Sequence, residues 1–191
     1  MNEAAALQPS VEIRTVAVIG AGVAGRSFAL ACAGAGFRVV LEDVMPANLR
    51  KAEAEYAEFS RGIRVGSLEL ALTVEDSVRA ADIAVDFVPD ELESKLEIFS
   101  MIDRMAPPKT ILCTPSYALS ITDLASCVYR PERCVAVRGD LAPGGGAVRL
   151  LYPAAVLGST LTAVERFLRA LRLEVQREPD PDVPVLLKNV G

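Results

Sequence analysis

Short runs of apolar, mostly β-branched residues alternate along the chain with longer stretches in which apolar residues recur every three to four positions. The short runs predict seven strands, at Thr15–Gly20, Arg38–Asp43, Leu68–Leu72, Ile83–Val88, Thr110–Thr114, Cys134–Arg138 and Val148–Tyr152. The longer stretches predict four helices, at Gly22–Ala35, Ala47–Arg61, Glu91–Met105 and Leu161–Leu171. Because apolar strands that alternate with helices are typical of parallel sheets, we expect an α/β fold with helices on both faces of a mostly parallel sheet.

The first predicted strand runs into a glycine-rich turn and then into the first predicted helix. Gly20, Gly22 and Gly25 have the GxGxxG spacing, in which the glycines allow a tight turn, a close approach to a pyrophosphate and helix–strand packing. Asp43 ends the second predicted strand, where a carboxylate can accept hydrogen bonds from a ribose and repel a 2′-phosphate. Glu42 points to the opposite face of that strand. The pattern predicts a doubly wound Rossmann-type fold that binds NAD rather than NADP.

Composition narrows the function classes. The chain of 191 residues is 51% hydrophobic and 24% charged, with a net charge of −5, which disfavours nucleic acid or an anionic membrane as a partner. It contains no histidine, the most common general base and metal ligand, so we expect no metal site. Four cysteines without CxxC spacing and an N-terminus without a signal pattern favour reduced thiols and a cytoplasmic location.

Later segments extend the pattern beyond the glycine loop. Four of these segments are, in chain order, AADIAVDFVPDELESKLEIF, TILCTPSYALSITDLA, PERCVAVRGDLAP and the terminal DVPVLLKNVG. With these segments the chain resembles, from Val16 to Asn189, the NAD-binding domain of L-3-hydroxyacyl-CoA dehydrogenases. The resemblance implies that Asp90 and Lys95 lie beside the nicotinamide ribose; the alternative for Asp90 is a helix cap.

The predicted cofactor-binding residues form one set. They are Gly20, Ala21, Gly22, Val23, Ala24, Gly25, Asp43, Val44, Pro89, Asp90 and Lys95.

The departures from the family fall on its catalytic residues. Arg138 stands at the position of the family's histidine base and Tyr117 at that of its serine. The family's asparagine falls at Leu141 or Ala142, and its glutamate falls near Tyr152. Arg138 cannot act as a base, because a guanidinium stays protonated at any working pH.

One interpretation is an oxidoreductase with a rebuilt catalytic site. Tyr117 would donate a proton to the substrate oxygen, and Ser116 would hydrogen-bond the carbonyl. Arg138 would lower the pKa of the phenol or hold an anionic group of the substrate. The simpler alternatives are that the Tyr117 ring packs at a strand end and that Arg138 pairs with Asp140 or with solvent.

Two other interpretations stay open. The domain could bind NAD(H) without turnover, as a regulatory or partner subunit, or it could work with a catalytic half on a separate chain. The organisation that we predict is a flexible lead-in at 1–13, a Rossmann domain at 14–181 and a hinge or tail at 182–191, whose apolar Pro184–Val190 suggests a homodimer. The segment after Asp43 is short compared with the family's CoA-binding arm, so we expect an acyl or hydroxy-acid substrate that is free or carried by another protein.

Overall fold

The computed structural model describes residues 11–142 and 144–180. Its eight strands are β1 (Thr15–Ile19), β2 (Arg38–Glu42), β3 (Leu68–Ala71), β4 (Ile83–Asp86), β5 (Ile111–Pro115), β6 (Cys134–Arg138), β7 (Ala147–Tyr152) and β8 (Glu174–Pro179). Its six α-helices are α1 (Val23–Gly34), α2 (Pro46–Phe59), α3 (Val74–Val78), α4 (Leu92–Met105), α5 (Ile121–Ala125) and α6 (Gly158–Ala170). The seven predicted strands and four predicted helices are confirmed, with ends shifted by three residues or fewer.

The strands form a single sheet in the order β3-β2-β1-β4-β5-β6-β7-β8. All neighbouring strands are parallel except β6 and β7, so the prediction of a mostly parallel, doubly wound sheet is confirmed. The chain order reverses direction between β1 and β4. In open α/β sheets, ligands bind in the crevice outside the carboxyl ends of the strands at such a point.

Two apolar clusters hold the layers together, one on each face of the sheet. Strand residues such as Val18 and Val85 pack with Phe28 of α1 and Phe167 of α6 on the first face. The second face packs Ala17 and its neighbours against α3, α4 and α5. Both faces of the inner strands are therefore buried, which explains their continuous apolar runs.

One strand and two short α-helices were not predicted from the sequence. The edge strand β8 has the sequence EVQREP, whose charged residues hide a strand pattern but protect an exposed edge. Helices α3 and α5 span five residues each, too few to show a helical period. At the other end of the chain, Ile13 is buried in the first cluster, although we predicted it within the lead-in. The predicted hinge and tail, including Pro184–Val190, lie outside the described residues.

Candidate functional site

The turn between β1 and α1 depends on two of its glycines for packing. Gly20 has a φ of +98°, and a Cβ there would lie 3.2 Å from the Phe87 carbonyl oxygen. A Cβ on Gly25 would lie 1.9 Å from the Gly20 carbonyl oxygen. Gly20 therefore supplies the left-handed turn and Gly25 allows α1 to approach it, as the motif predicts.

The middle glycine faces open space instead. Gly22 is the N-cap of α1 in an extended conformation, and no side chain caps the helix. A Cβ on Gly22 would meet no atom within 4 Å, and Gly22, Val23 and Ala24 are exposed. The N–H groups of the first turn are thus available to an anion, with the positive end of the helix dipole behind them. This cradle fits the pyrophosphate of a dinucleotide.

Asp43, directly after β2, ties the glycine turn to the next strand. Its Oδ2 accepts hydrogen bonds from the Ala21 N–H at 2.8 Å and from Asn48 Nδ2 at 3.1 Å, and its Oδ1 accepts one from the Met45 N–H at 2.7 Å. Val44, next to it, is exposed. The carboxylate is therefore held at the carboxyl edge of the sheet, beside the cradle, where an adenosine ribose would be bound.

A buried ion pair lies at the carboxyl end of β4. Lys95 Nζ donates to Asp86 Oδ1 at 2.7 Å and to the Val88 carbonyl at 3.3 Å, and the two side chains are 1% and 0% exposed. Burial raises the pKa of Asp86, while the Lys95 ammonium and the Thr114 hydroxyl oppose that shift. Asp86 Oδ2 has no hydrogen-bond partner among the described residues. The pair fixes α4 to the sheet at the point where the strand order reverses.

Asp90 joins the ends of two neighbouring strands rather than capping a helix. The N-cap of α4 is Glu91, so the alternative of Asp90 as a cap is wrong. The Asp90 carboxylate instead accepts a hydrogen bond from the Tyr117 N–H at 3.0 Å. Asp90 and the preceding Pro89 are exposed, whereas Lys95 is buried. The loop after β4 is thereby linked to the turn after β5.

That turn carries two of the three predicted catalytic residues. Ser116 is only 2% exposed, and its Oγ accepts a hydrogen bond from the Leu119 N–H at 3.0 Å. The Tyr117 side chain is 76% exposed, so its ring does not pack at the strand end as the simpler alternative held. The structure thus places an exposed phenol and a hydrogen-bonded hydroxyl on neighbouring residues after β5.

Arg138 ends the adjacent strand β6 and reaches the same turn. Its Nη2 donates to the Leu119 carbonyl at 3.1 Å. Among the described residues no ion pair joins Arg138 to Asp140, whose Oδ1 accepts the Ala142 N–H at 2.8 Å, so that part of the alternative is not observed. Ser116, Tyr117 and Arg138 therefore come together at the carboxyl ends of β5 and β6. Their roles in catalysis stay predictions.

The comparison with protein families decides the assignment. Residues 15–138 match the model of the 3-hydroxyacyl-CoA dehydrogenase NAD-binding domain, a span that runs from the start of β1 to Arg138. The chain belongs to the 3-hydroxyacyl-CoA dehydrogenase family. Its cofactor is NAD, as the glycine turn and Asp43 predicted.

Relatives agree with that assignment over part of their length. A probable 3-hydroxybutyryl-CoA dehydrogenase from Bacillus subtilis is 31% identical over 138 residues, which are 65% of this chain and 48% of that protein. A 5-formyl-3-hydroxy-2-methylpyridine 4-carboxylate 5-dehydrogenase from Mesorhizobium japonicum is 30% identical over 141 residues, or 69% of this chain and 46% of that protein. The chain thus spans about half the length of these two curated relatives.

The fold extends the likeness further along the chain. The crystal structure of a 3-hydroxyacyl-CoA dehydrogenase from Archaeoglobus fulgidus matches with a TM-score of 0.74 at 27% identity, covering 92% of this chain and 59% of that one. None of the described helices is long and apolar enough to cross a membrane.

Two features of this domain were not predicted from the sequence. Asp86, the partner of Lys95, was read as an interior strand residue; its signal was a lone carboxylate in the apolar run IAVDFV. The strand register places Arg149 opposite Arg138, whereas Tyr152, near which we placed the family's glutamate, lies at the far end of β7. The residue facing the histidine position is therefore a second cation.

Glu42, predicted to point away from Asp43, is the last residue of β2. It is buried, and burial, followed by repulsion from Asp43, raises its pKa to about 7. Its backbone carbonyl accepts the Gly20 N–H at 2.9 Å. Residues 42 and 43 together hold the glycine turn, one through the main chain and one through its carboxylate.

Proposed function

We propose that this domain binds NAD(H) and contributes to hydride transfer between the nicotinamide and a substrate of the hydroxyacyl or ketoacyl type. The observation that carries the proposal is the convergence of four features at one edge of the sheet. These are the open α1 N-terminus, the Asp43 carboxylate, the Asp86–Lys95 pair and the turn after β5. In a member of this family, that edge is where a dinucleotide and a substrate would meet.

The cofactor would be bound by the α1 N-terminus, by Asp43 and by the loop after β4. Bound NAD would supply the hydride acceptor. The uncapped N–H groups of α1 would bind the pyrophosphate, and Asp43 would accept hydrogen bonds from the adenosine ribose hydroxyls. Asp90 would lie beside the nicotinamide ribose, with the exposed Val44 and Pro89 flanking the cofactor. Lys95 would reach that ribose only by leaving its buried pair with Asp86.

The substrate side would be rebuilt around the turn after β5. Tyr117 would donate the proton to the substrate oxygen, because its phenol is exposed and not engaged in packing. Ser116 would reach the substrate carbonyl only by giving up its bond from the Leu119 N–H. Arg138 cannot take up a proton and would act as a fixed positive charge.

Turnover is tested by the loss of NADH absorbance when 3-oxoacyl thioesters or free 3-oxo acids are added. We expect Tyr117→Phe to lower the rate by about 10²- to 10⁴-fold, the usual contribution of a positioned acid, without changing NADH affinity. Tyr129→Phe is the matched control, because Tyr129 is also exposed, at 86%, but its backbone is bonded to Asp103 near the C-terminus of α4 rather than to the turn after β5. Equal rates for Tyr117→Phe and wild type would remove Tyr117 from the mechanism.

A second candidate is an NAD(H)-binding subunit without turnover. The chain has no histidine, Arg138 holds the histidine position, and the Ser116 hydroxyl is engaged locally. Saturable NADH binding with no absorbance loss for any 3-oxo substrate would favour this role over catalysis.

The partners that we propose are a small acyl or hydroxy-acid substrate, free or carrier-bound, and a second copy of the chain, in the cytoplasm. Light scattering at micromolar concentration, with and without NADH, would reveal a homodimer. Titration with CoA would test whether a CoA thioester is the natural form of the substrate.

A further inference from the structure

Two arginines face each other across the antiparallel pair β6–β7. The register sets Arg138 directly opposite Arg149, so the two side chains leave the same face of the sheet. Directly opposed residues in such a pair have Cβ atoms about 5 Å apart, and like charges there are destabilising. A counter-charge near either residue would offset that repulsion.

Only one of the two arginines has a counter-charge among the described residues. Arg149 Nη1 lies 3.3 Å from Glu178 Oε2 on β8. Arg138 donates to a neutral carbonyl, that of Leu119, and makes no ion pair within the described chain. Its Nε is buried and lacks an acceptor there, which is costly for a charged group.

The acidic groups around the turn accept hydrogen bonds from donors other than Arg138. Asp140 accepts the Ala142 N–H and Asp90 accepts the Tyr117 N–H. Asp180 accepts hydrogen bonds from Ser120 Oγ and the Thr122 N–H at the start of α5. The half-buried Arg138 thus has no ion-pair partner among the described residues, and it lies at the end of β6 against the turn that carries Tyr117.

We infer that Arg138 binds a free carboxylate of the substrate, so that the substrate class is short hydroxy or oxo acids rather than neutral acyl thioesters. This inference rests on the proposed function and adds the group that selects the substrate. A guanidinium presents paired N–H donors that match the two oxygens of a carboxylate. A thioester carbonyl offers one neutral oxygen and no charge.

The test compares acids with their esters in the presence of saturating NAD⁺. NAD⁺ affinity is measured first for every variant by calorimetry. Acetoacetate and 3-oxovalerate are then titrated against their methyl esters; with NAD⁺ bound, cofactor and ligand are both oxidised and no turnover interferes. We expect wild type to bind the acids about ten- to a hundredfold more tightly than the esters, the range for hydrogen bonds to a charged group.

The variants assign that preference to one side chain. Arg138→Gln should remove the preference for acids, and Arg138→Lys should restore part of it, because the charge returns without the paired donors. Arg79→Gln is the control. It removes an exposed arginine directly after α3 and should leave the preference for acids unchanged. If Arg138→Gln does not fold, the wild-type acid–ester comparison and Arg138→Lys still decide.

The outcomes separate this inference from the proposed function. NAD⁺ binding with equal or absent binding of acids and esters would overturn the role of Arg138 while leaving the dinucleotide site intact. An acid preference that survives in Arg138→Gln would overturn it as well. A failure of NAD⁺ binding in wild type would instead contradict the proposed function.

Discussion

Lys95 Nζ lies 2.7 Å from Asp86 Oδ1, and both side chains are withdrawn from solvent. The aspartate ends β4 and the lysine belongs to α4, so the bond crosses from the sheet to the helix that covers it. A buried ion pair contributes little net stability, but removing one partner leaves an uncompensated charge in the interior. The pair therefore makes the switch point of the sheet sensitive to single substitutions.

Replacing Asp86 with asparagine should lower the free energy of unfolding by about 3–5 kcal/mol, the usual cost of breaking a buried pair. This loss of stability is measured by urea denaturation, with unfolding monitored by circular dichroism. The matched control is Glu69→Gln, which breaks the half-exposed pair with Arg38 and should cost less than about 1 kcal/mol. The double variant Asp86→Leu with Lys95→Met should recover most of the loss, and a double variant as unstable as Asp86→Asn would contradict the argument.

Substitutions at two glycines of the turn should affect cofactor binding and folding separately. Gly22→Val should abolish NAD⁺ binding and leave the melting temperature nearly unchanged, because its Cβ meets open space where the pyrophosphate would lie. Gly25→Ala should instead destabilise the fold, because its Cβ would lie 1.9 Å from the Gly20 carbonyl oxygen. Calorimetric titration and thermal melting of both variants test the contrast. Tight NAD⁺ binding by Gly22→Val would show that the pyrophosphate does not bind at the N-terminus of α1.

The elements that could be predicted are those with a strong local pattern. Apolar runs located β1 to β7, and the glycine spacing located the turn before α1, because both signals are carried by consecutive residues. The strand β8 could not be seen, since Arg177 and Glu178 break its apolar pattern at the sheet edge. The pairing of Lys95 with Asp86, and the absence of a counter-charge on Arg138, depend on contacts between separate elements, which no local pattern reports.

Cofactor discrimination should depend on Asp43. Wild type should bind NAD⁺ more tightly than NADP⁺, because the carboxylate beside the cradle would face the 2′-phosphate with like charge. Asp43→Asn should narrow the difference by about tenfold, by weakening NAD⁺ binding and relieving the repulsion. Asparagine can still accept the Ala21 N–H through its amide oxygen, but its amide nitrogen cannot accept the Met45 N–H, so part of any loss would arise from that lost hydrogen bond.

The control for that comparison is Glu53→Gln, an exposed carboxylate on α2 without an ion pair in the described chain. Its NAD⁺ and NADP⁺ affinities should equal those of wild type. Equal affinities of the wild-type protein for the two cofactors would contradict the proposal that Asp43 binds the adenosine ribose.

Glu42 should make stability fall as pH rises towards neutrality. Burial raises its folded-state pKa from the ordinary 4.5 to about 7, so the folded protein binds more protons than the unfolded chain between those values. Its contribution is fully present below about pH 4.5 and is lost as pH rises through about 7. The stability of wild type relative to Glu42→Gln should therefore drop by about 2 kcal/mol between pH 5 and pH 8.

Urea denaturation of both proteins at pH 5, 6, 7 and 8 measures this difference, and using the difference cancels the titration of all other groups. Glu97→Gln, at an exposed position of α4, should run parallel to wild type at every pH. Because the Glu42 main chain also accepts the Gly20 N–H, relaxation of ionised Glu42 towards solvent would disturb the glycine turn. NAD⁺ affinity should then weaken above pH 7 in wild type but not in Glu42→Gln, and parallel stability curves for the two proteins would contradict the burial of a proton-binding carboxyl at this position.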